Sequence, residues 1–155
     1  MFCSEELVAV GWRKNIAQVN YSFTDKKGTL RGMHYQIQPH SEMKLISCLQ
    51  GEVFDVAIDL RINSPTYLHW HGEVLSENNK RSQLIPEGFA HGFQALTDKS
   101  TLLYCHSAPY NPKAERAINA QDPRLNIIWP LAISEISNRD ANHPLIDAIF
   151  EGVQM

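Results

Sequence analysis

Gly51-Glu52-Val53-Phe54-Asp55-Val56-Ala57-Ile58-Asp59-Leu60-Arg61 alternates without a break. In an extended chain Phe54, Val56, Ile58 and Leu60 fall on one side and Asp55, Ala57 and Asp59 on the other, so the run reads as a strand with one apolar face. The acids on the opposite face point to solvent or into a polar cavity, solvent being the ordinary destination of a carboxylate. Working outward, Leu49-Gln50-Gly51 joins this strand to another β-rich run, Met43 to Cys48. Tyr67 to Leu75, Ser82 to Ile85, Gly92 to Leu96 and Thr101 to His106 continue the pattern, punctuated at Asn78-Asn79 and Pro86-Glu87-Gly88. Upstream, Ile16 to Phe23 and the run ending at Gln36 flank the turn-like Asp25-Lys26-Lys27-Gly28. Short strands at such spacing predict a sandwich or barrel, and a jelly roll has the right size. Helix is confined to the periphery: Ser4 to Val10, with Ser4 as N-cap and Gly11 as its stop, and a short helix within Ser137 to Ile149. Pro109 to Pro123 reads as loop, and Ile127-Ile128-Trp129-Pro130 as a last extended piece.

The 155 residues, 43% of them hydrophobic, fit one domain spanning 1–155 with an ordinary core. A formal net charge of −3 from 14 basic and 17 acidic residues, with no basic stripe, speaks against nucleic-acid or anionic-membrane partners. There is no apolar run of membrane-spanning length and no signal segment at Met1, so a soluble cytoplasmic protein is expected. Cys3, Cys48 and Cys105 lack metal-type spacing and suit a reducing compartment.

Chemistry concentrates first in Gly28-Thr29-Leu30-Arg31-Gly32-Met33-His34-Tyr35-Gln36, which sets a guanidinium, an imidazole and a phenol on one strand. Histidine side chains ordinarily titrate near neutral pH, which makes His34 a candidate general base; a structural histidine held by a carbonyl is the other reading. His69-Trp70-His71 puts two imidazoles on one strand face, extended by Glu73; this is the spacing of a β-barrel metal site, but the reading taken is a polar surface group. Ile85 to Phe93 is a proline-started turn that delivers His91 to a strand, and Leu102 to His106 carries Tyr104, whose phenol can donate a proton.

Taken together, Leu30 to Gln36, Lys44-Leu45-Ile46, Gly51 to Arg61, Ser64-Pro65-Thr66, Glu77 to Arg81, Pro86 to Phe93 and Trp129-Pro130 resemble the dTDP-4-dehydrorhamnose 3,5-epimerase family, in order and at compatible spacing. The resemblance runs from about Gln18 to about Ile146. It implies an all-β cupin jelly roll, a double-stranded β-helix with short peripheral helices, acting as a homodimer without metal or other cofactor. It further implies epimerisation beside the 4-keto group of a dTDP-4-keto-6-deoxyhexose, a step of rhamnose and cell-surface polysaccharide biosynthesis. By position, His34 matches the family's base, Asp140 the acid paired with it, Lys44 a lysine near the sugar's C4 oxygen and Tyr104 the acid on the opposite face. Arg31, His91, Gln18, Asn20 and Tyr110 match substrate-contacting positions.

The same comparison marks departures. The family's usual Phe-x-Asp-x-Arg-Gly-x-Phe-x-Glu arm, which helps hold the nucleotide, has no counterpart here, and Cys105 stands where a lysine is common. Weaker nucleotide binding is the expectation, with Arg13, Lys14, Arg81 and Arg116 as replacement cations. Two other readings follow: a non-catalytic cupin that binds a sugar nucleotide or related ligand, and a metal-dependent cupin using His69, His71 and His91. Finally, Arg31 and His34 are an odd number of residues apart and should face opposite ways in a regular strand, so a shared cavity requires a bulge at Gly32 or Met33, with Lys44 facing them from an adjacent strand.

Overall fold

A computed structural model describes residues 3–147 and 149–155. Among these residues ten strands form two sheets. The four-stranded sheet has the order β1 (Gln18–Thr24), β8 (Ser100–His106), β3 (Lys44–Gln50), β6 (Ser82–Ile85). The six-stranded sheet has the order β10 (Glu135–Ile136), β2 (Thr29–Gln36), β7 (Phe89–Ala95), β4 (Glu52–Asp59), β5 (Trp70–Ser76), with β9 (Glu115–Ala117) also on β2. All pairings between strands are antiparallel except β10 with β2. The all-β expectation therefore holds, with two short peripheral helices among the described residues, α1 (Ser4–Ala9) and α2 (Asn138–Ala141).

Several boundaries differ from the sequence reading. The α1 N-cap position is Cys3, one residue before the expected Ser4. The C-terminal helix ends at Ala141, and Pro144 to Asp147 belong to no helix or strand; Ala148, inside the span expected to hold it, lies outside the described residues. The loop from Pro109 to Pro123 contributes β9, and β10 is too short for periodicity to reveal it. Ile127 to Pro130 belongs to no strand.

Alternation along β4 builds two cores. Val53 and Ala57 face the other sheet and pack with Ile46, Ile85, Phe93 and Leu102. Val56 and Ile58, with Leu60 beyond the strand, face away from it, and Ile118, Leu125, Ile146 and Val153 cover them from the C-terminal segments. Because β4 lies inside its sheet with both faces covered, the expectation that Asp55 and Asp59 reach solvent is overturned: they are 0% and 1% exposed. An acid so placed needs partners. Asp59 accepts hydrogen bonds from the backbone N–H and guanidinium of Arg61 and from the hydroxyls of Ser64 and Thr66. Burial pushes its carboxyl up, but these donors outweigh burial and hold it well below the usual carboxylate range.

A depressed carboxyl contributes stability that is complete above the ordinary carboxylate pKa and is lost as pH falls toward the lower folded-state value. Asp59→Asn should lower stability at pH 7 by about 2–4 kcal/mol, because it leaves Arg61 without its buried partner. In urea unfolding the gap between wild type and variant should shrink as pH drops below about 4; a gap that does not change with pH would show that Asp59 acts through packing alone.

Candidate active site

One cavity of about 920 Å³ lies between the two sheets and is lined by Asn20, Arg31, His34, Lys44, His91, Tyr104, Tyr110 and Asp140 among others. Its geometry starts at Gly32. On β2 and β7, Arg31 pairs with Phe93 and His34 with His91, so three steps along β2 answer two along β7. That extra residue is the expected bulge. Leu30, Met33 and Tyr35 all pack into the outer core, while Arg31 and His34 both line the cavity. Gly32 has φ 112°, and the Gly32–Met33 peptide is cis. A Cβ on Gly32 would lie 2.5 Å from Gly92 Cα and 2.7 Å from the His91 carbonyl oxygen, so the two backbones meet where no side chain fits. Lys44 enters from β3, across the cavity in the opposite sheet rather than on an adjacent strand as expected.

His34 Nε2 lies 2.8 Å from Asp140 Oδ1, and Gly32 N–H donates to Asp140 Oδ2 at 3.2 Å. Asp140 is placed by α2, whose Ser137 cap hydroxyl accepts from the Asp140 N–H, and α2 follows directly on β10, which is paired to β2. Burial alone would raise the Asp140 carboxyl. The His34 hydrogen bond and charge, the Gly32 N–H and His143 outweigh it and hold the carboxyl at about 2. A carboxylate only accepts, so His34 Nε2 carries the proton and Nδ1 keeps the lone pair a base needs.

Tyr104 comes from β8 in the facing sheet. Its ring is edge-on to His91, with centroids 5.8 Å apart, and stacked on His106 at 5.9 Å. Burial pushes the Tyr104 phenol up and Asp55 adds to this; Arg31 and a hydrogen bond with Ser22 only partly offset them, so the phenol stays protonated and available as a donor. His91 Nε2 is committed to Asp55 Oδ1 at 2.7 Å. Lys44 is buried, with Nζ 3.4 Å from the His34 carbonyl oxygen and 3.4 Å from Glu42 Oε1, and Glu42 also pairs with His106 Nδ1 at 2.8 Å.

Of the other expected contacts, Asn20 and Tyr110 lie at the cavity, whereas Gln18 is not among its lining residues and accepts from the Tyr110 N–H. Lys14 is paired with Glu87, Arg81 with Glu73 at 2.6 Å, and Arg116 donates to the carbonyls of Lys113 and Glu115. Arg13, Lys14, Arg81 and Arg116 all lie off the cavity lining, and the further cation that reaches it is Arg139, paired with Glu115. The donor set expected from His69, His71 and His91 is not assembled. His71 and His91 flank Ala57 in register on opposite sides of β4, which sets their strands roughly 10 Å apart. Glu42, Asp55, His106, Arg139 and His143 were missed. Glu42, two residues before Lys44 and thus on its side of an extended chain, carried a usable signal; the rest join the site through strand register or the C-terminal crossing.

The family profile described as dTDP-4-dehydrorhamnose 3,5-epimerase matches residues 1–148. The chain belongs to that family. It is accordingly an isomerase, a 3,5-epimerase by family, and the non-catalytic reading gives way. A dTDP-4-dehydrorhamnose 3,5-epimerase from Shigella flexneri is 46% identical over 134 residues, 86% of this chain and 74% of the relative. The crystal structure of an epimerase from Legionella pneumophila in complex with dTDP-4-keto-L-rhamnose matches with a TM-score of 0.90 and 41% identity, covering 98% of this chain and 82% of that one. The Bacillus anthracis epimerase structure with TDP and PPi bound also gives 0.90, at 35% identity over 94% and 83%.

Gly32→Ala is expected to remove roughly 2–4 kcal/mol of stability through clash and strain and to lower epimerase activity at least about tenfold by displacing His34. Thermal unfolding and a coupled activity assay test this; a fully active, equally stable variant would show the bulge is not required.

Proposed function

We propose that this epimerase acts on a dTDP-4-keto-6-deoxyhexose with His34 as base and Tyr104 as acid. The observation that carries the reading is that these two groups stand on opposite sheets across one cavity, which is what inversion demands: a proton leaves one face of the carbon and returns to the other. His34 Nδ1 takes the proton beside the ketone, and Asp140 stabilises the resulting imidazolium and fixes its tautomer. The electron pair moves onto the C4 oxygen, where the Lys44 ammonium stabilises the enolate. The Tyr104 hydroxyl then protonates the carbon from the far side, and solvent restores both groups. Arg31 and Arg139 are the cavity's arginines for the diphosphate, with Asn20, Tyr110 and the Asp55-bound His91 as further contacts and Gln18 holding Tyr110. The TDP and dTDP-sugar bound in the anthrax and Legionella relatives support a nucleotide-sugar substrate here. No cofactor enters this sequence of steps.

His34→Ala should lose epimerisation by at least about 10²-fold while staying folded, the ordinary contribution of a general base. Tyr104→Phe should retain deuterium exchange from solvent at the first carbon better than it retains inversion. NMR of a 4-keto sugar nucleotide in deuterium oxide separates the two rates; equal loss of both in Tyr104→Phe, or normal exchange in folded His34→Ala, would remove those roles.

We also infer a homodimer in the cytoplasm. No helix of the described residues is long and apolar enough to cross a membrane, and Cys3, Cys48 and Cys105 are free thiols. Val19, Tyr21 and Phe23 on the edge strand β1 are 56%, 67% and 48% exposed, an apolar row at the open edge of the four-stranded sheet, with Val19 and Tyr21 also lining the cavity. Tyr21→Glu with Phe23→Glu should yield monomers in sedimentation velocity, whereas an unaltered sedimentation coefficient would place any dimer elsewhere.

A further inference from the structure

Beyond the dyad, the turn after α2 delivers a third side chain that the proton chemistry does not use. His143 Nε2 lies 3.3 Å from Asp140 Oδ1, the same oxygen that accepts from His34. The two imidazole rings stand edge to face, with centroids 5.6 Å apart and planes at 89°. His143 Nε2 is itself buried and makes no hydrogen bond among the described residues. His34, Asp140 and His143 each offer one ligand atom, and these three atoms all lie within 4.8 Å of one another. Tetrahedral zinc with bonds near 2.0–2.2 Å needs its ligand atoms roughly 3.3 Å apart. The His143–Asp140 separation already has that value, and the His34–Asp140 pair would open by about half an ångström on replacing its shared proton with a metal.

We propose that His34, Asp140 and His143 form a divalent-cation site at which Zn²⁺ inhibits the enzyme. Zinc binds His34 Nε2 in place of the proton, which moves to Nδ1; the ring stays neutral, but the lone pair that would accept the substrate proton is gone. Asp140 Oδ1 and His143 Nε2 complete three ligands, and a water fills the fourth position. The set comes from β2 and the α2 region and shares no residue with the His69, His71 and His91 set. The inhibitory consequence rests on His34 being the base, whereas the binding does not.

The test is a titration of chelator-treated protein with ZnCl₂ against a chromophoric zinc indicator, alongside activity. Wild type should bind one zinc per chain with micromolar or tighter affinity and lose activity as it does so, with EDTA restoring the activity. Both His143→Ala and His143→Gln should weaken zinc at least tenfold and keep their own zinc-free rate at zinc concentrations that silence wild type. Co²⁺ substitution reads the geometry directly, since a four-coordinate site of these three ligands and a water gives intense visible bands that the variants should lose. Failure of wild type to bind stoichiometric zinc, or equal binding in the variants, overturns the site. Stoichiometric binding that depends on His143 but leaves activity intact would keep the site, overturn the inhibition and count against His34 as base.

Discussion

The close approach of Gly32 and Gly92 is the constraint on which the site depends. A strand with strict alternation can give the cavity either Arg31 or His34, never both, because the side-chain period is two. One extra residue on β2 reverses the alternation, and the reversal is visible in the packing: Leu30 before it and Met33 and Tyr35 after it all enter the same core. The backbone pays by coming within contact of β7, where only hydrogens fit on the two α-carbons. The same distortion turns the Gly32 N–H toward Asp140, so the residue that redirects His34 also helps hold its carboxylate partner.

Around that point the cavity repeats one electrostatic device. His34 has Asp140, His91 has Asp55 and His106 has Glu42, each imidazole having one nitrogen on a carboxylate at 2.7–2.8 Å. A buried carboxylate is costly alone, and a neutral imidazole is free to turn over or change tautomer; the pair cures both faults, since the acid gains a donor and the ring gains a fixed orientation. Tyr104 lies between two of these rings, with its own proton held by burial, and Lys44 joins the walls by reaching the His34 carbonyl from the opposite sheet.

The strands were legible because alternation of apolar and polar residues is local information, and β6 falls where Ser82 to Ile85 was read. The Arg31 and His34 conflict was legible too, since it follows from period and the presence of Gly32. Asp55 and Asp59 were misread for the opposite reason: whether an acid on a strand meets water depends on the strand's place in the sheet, and β4 proved to be internal with both faces covered. Asp140 was reached through family resemblance alone, because 106 positions separate it from His34 and no periodicity links them. His143 had no signal short of the folded α2 region.

Stereochemistry explains why the machinery is divided between sheets rather than gathered on one. Stacked sheets stand about 10 Å apart, which leaves room between their facing side chains for a sugar ring but not for that ring to turn over. In the proposed mechanism the base on β2 and the acid on β8 thus meet opposite faces of one immobilised ring. A hydrolytic triad can be carried by one wall because attack and proton return occur on the same side; inversion at carbon cannot. The double-sheet architecture is therefore part of the reaction's requirement, and the distant crossing of α2 onto β2 supplies the one group, Asp140, that neither sheet could place behind His34 without filling the cavity itself.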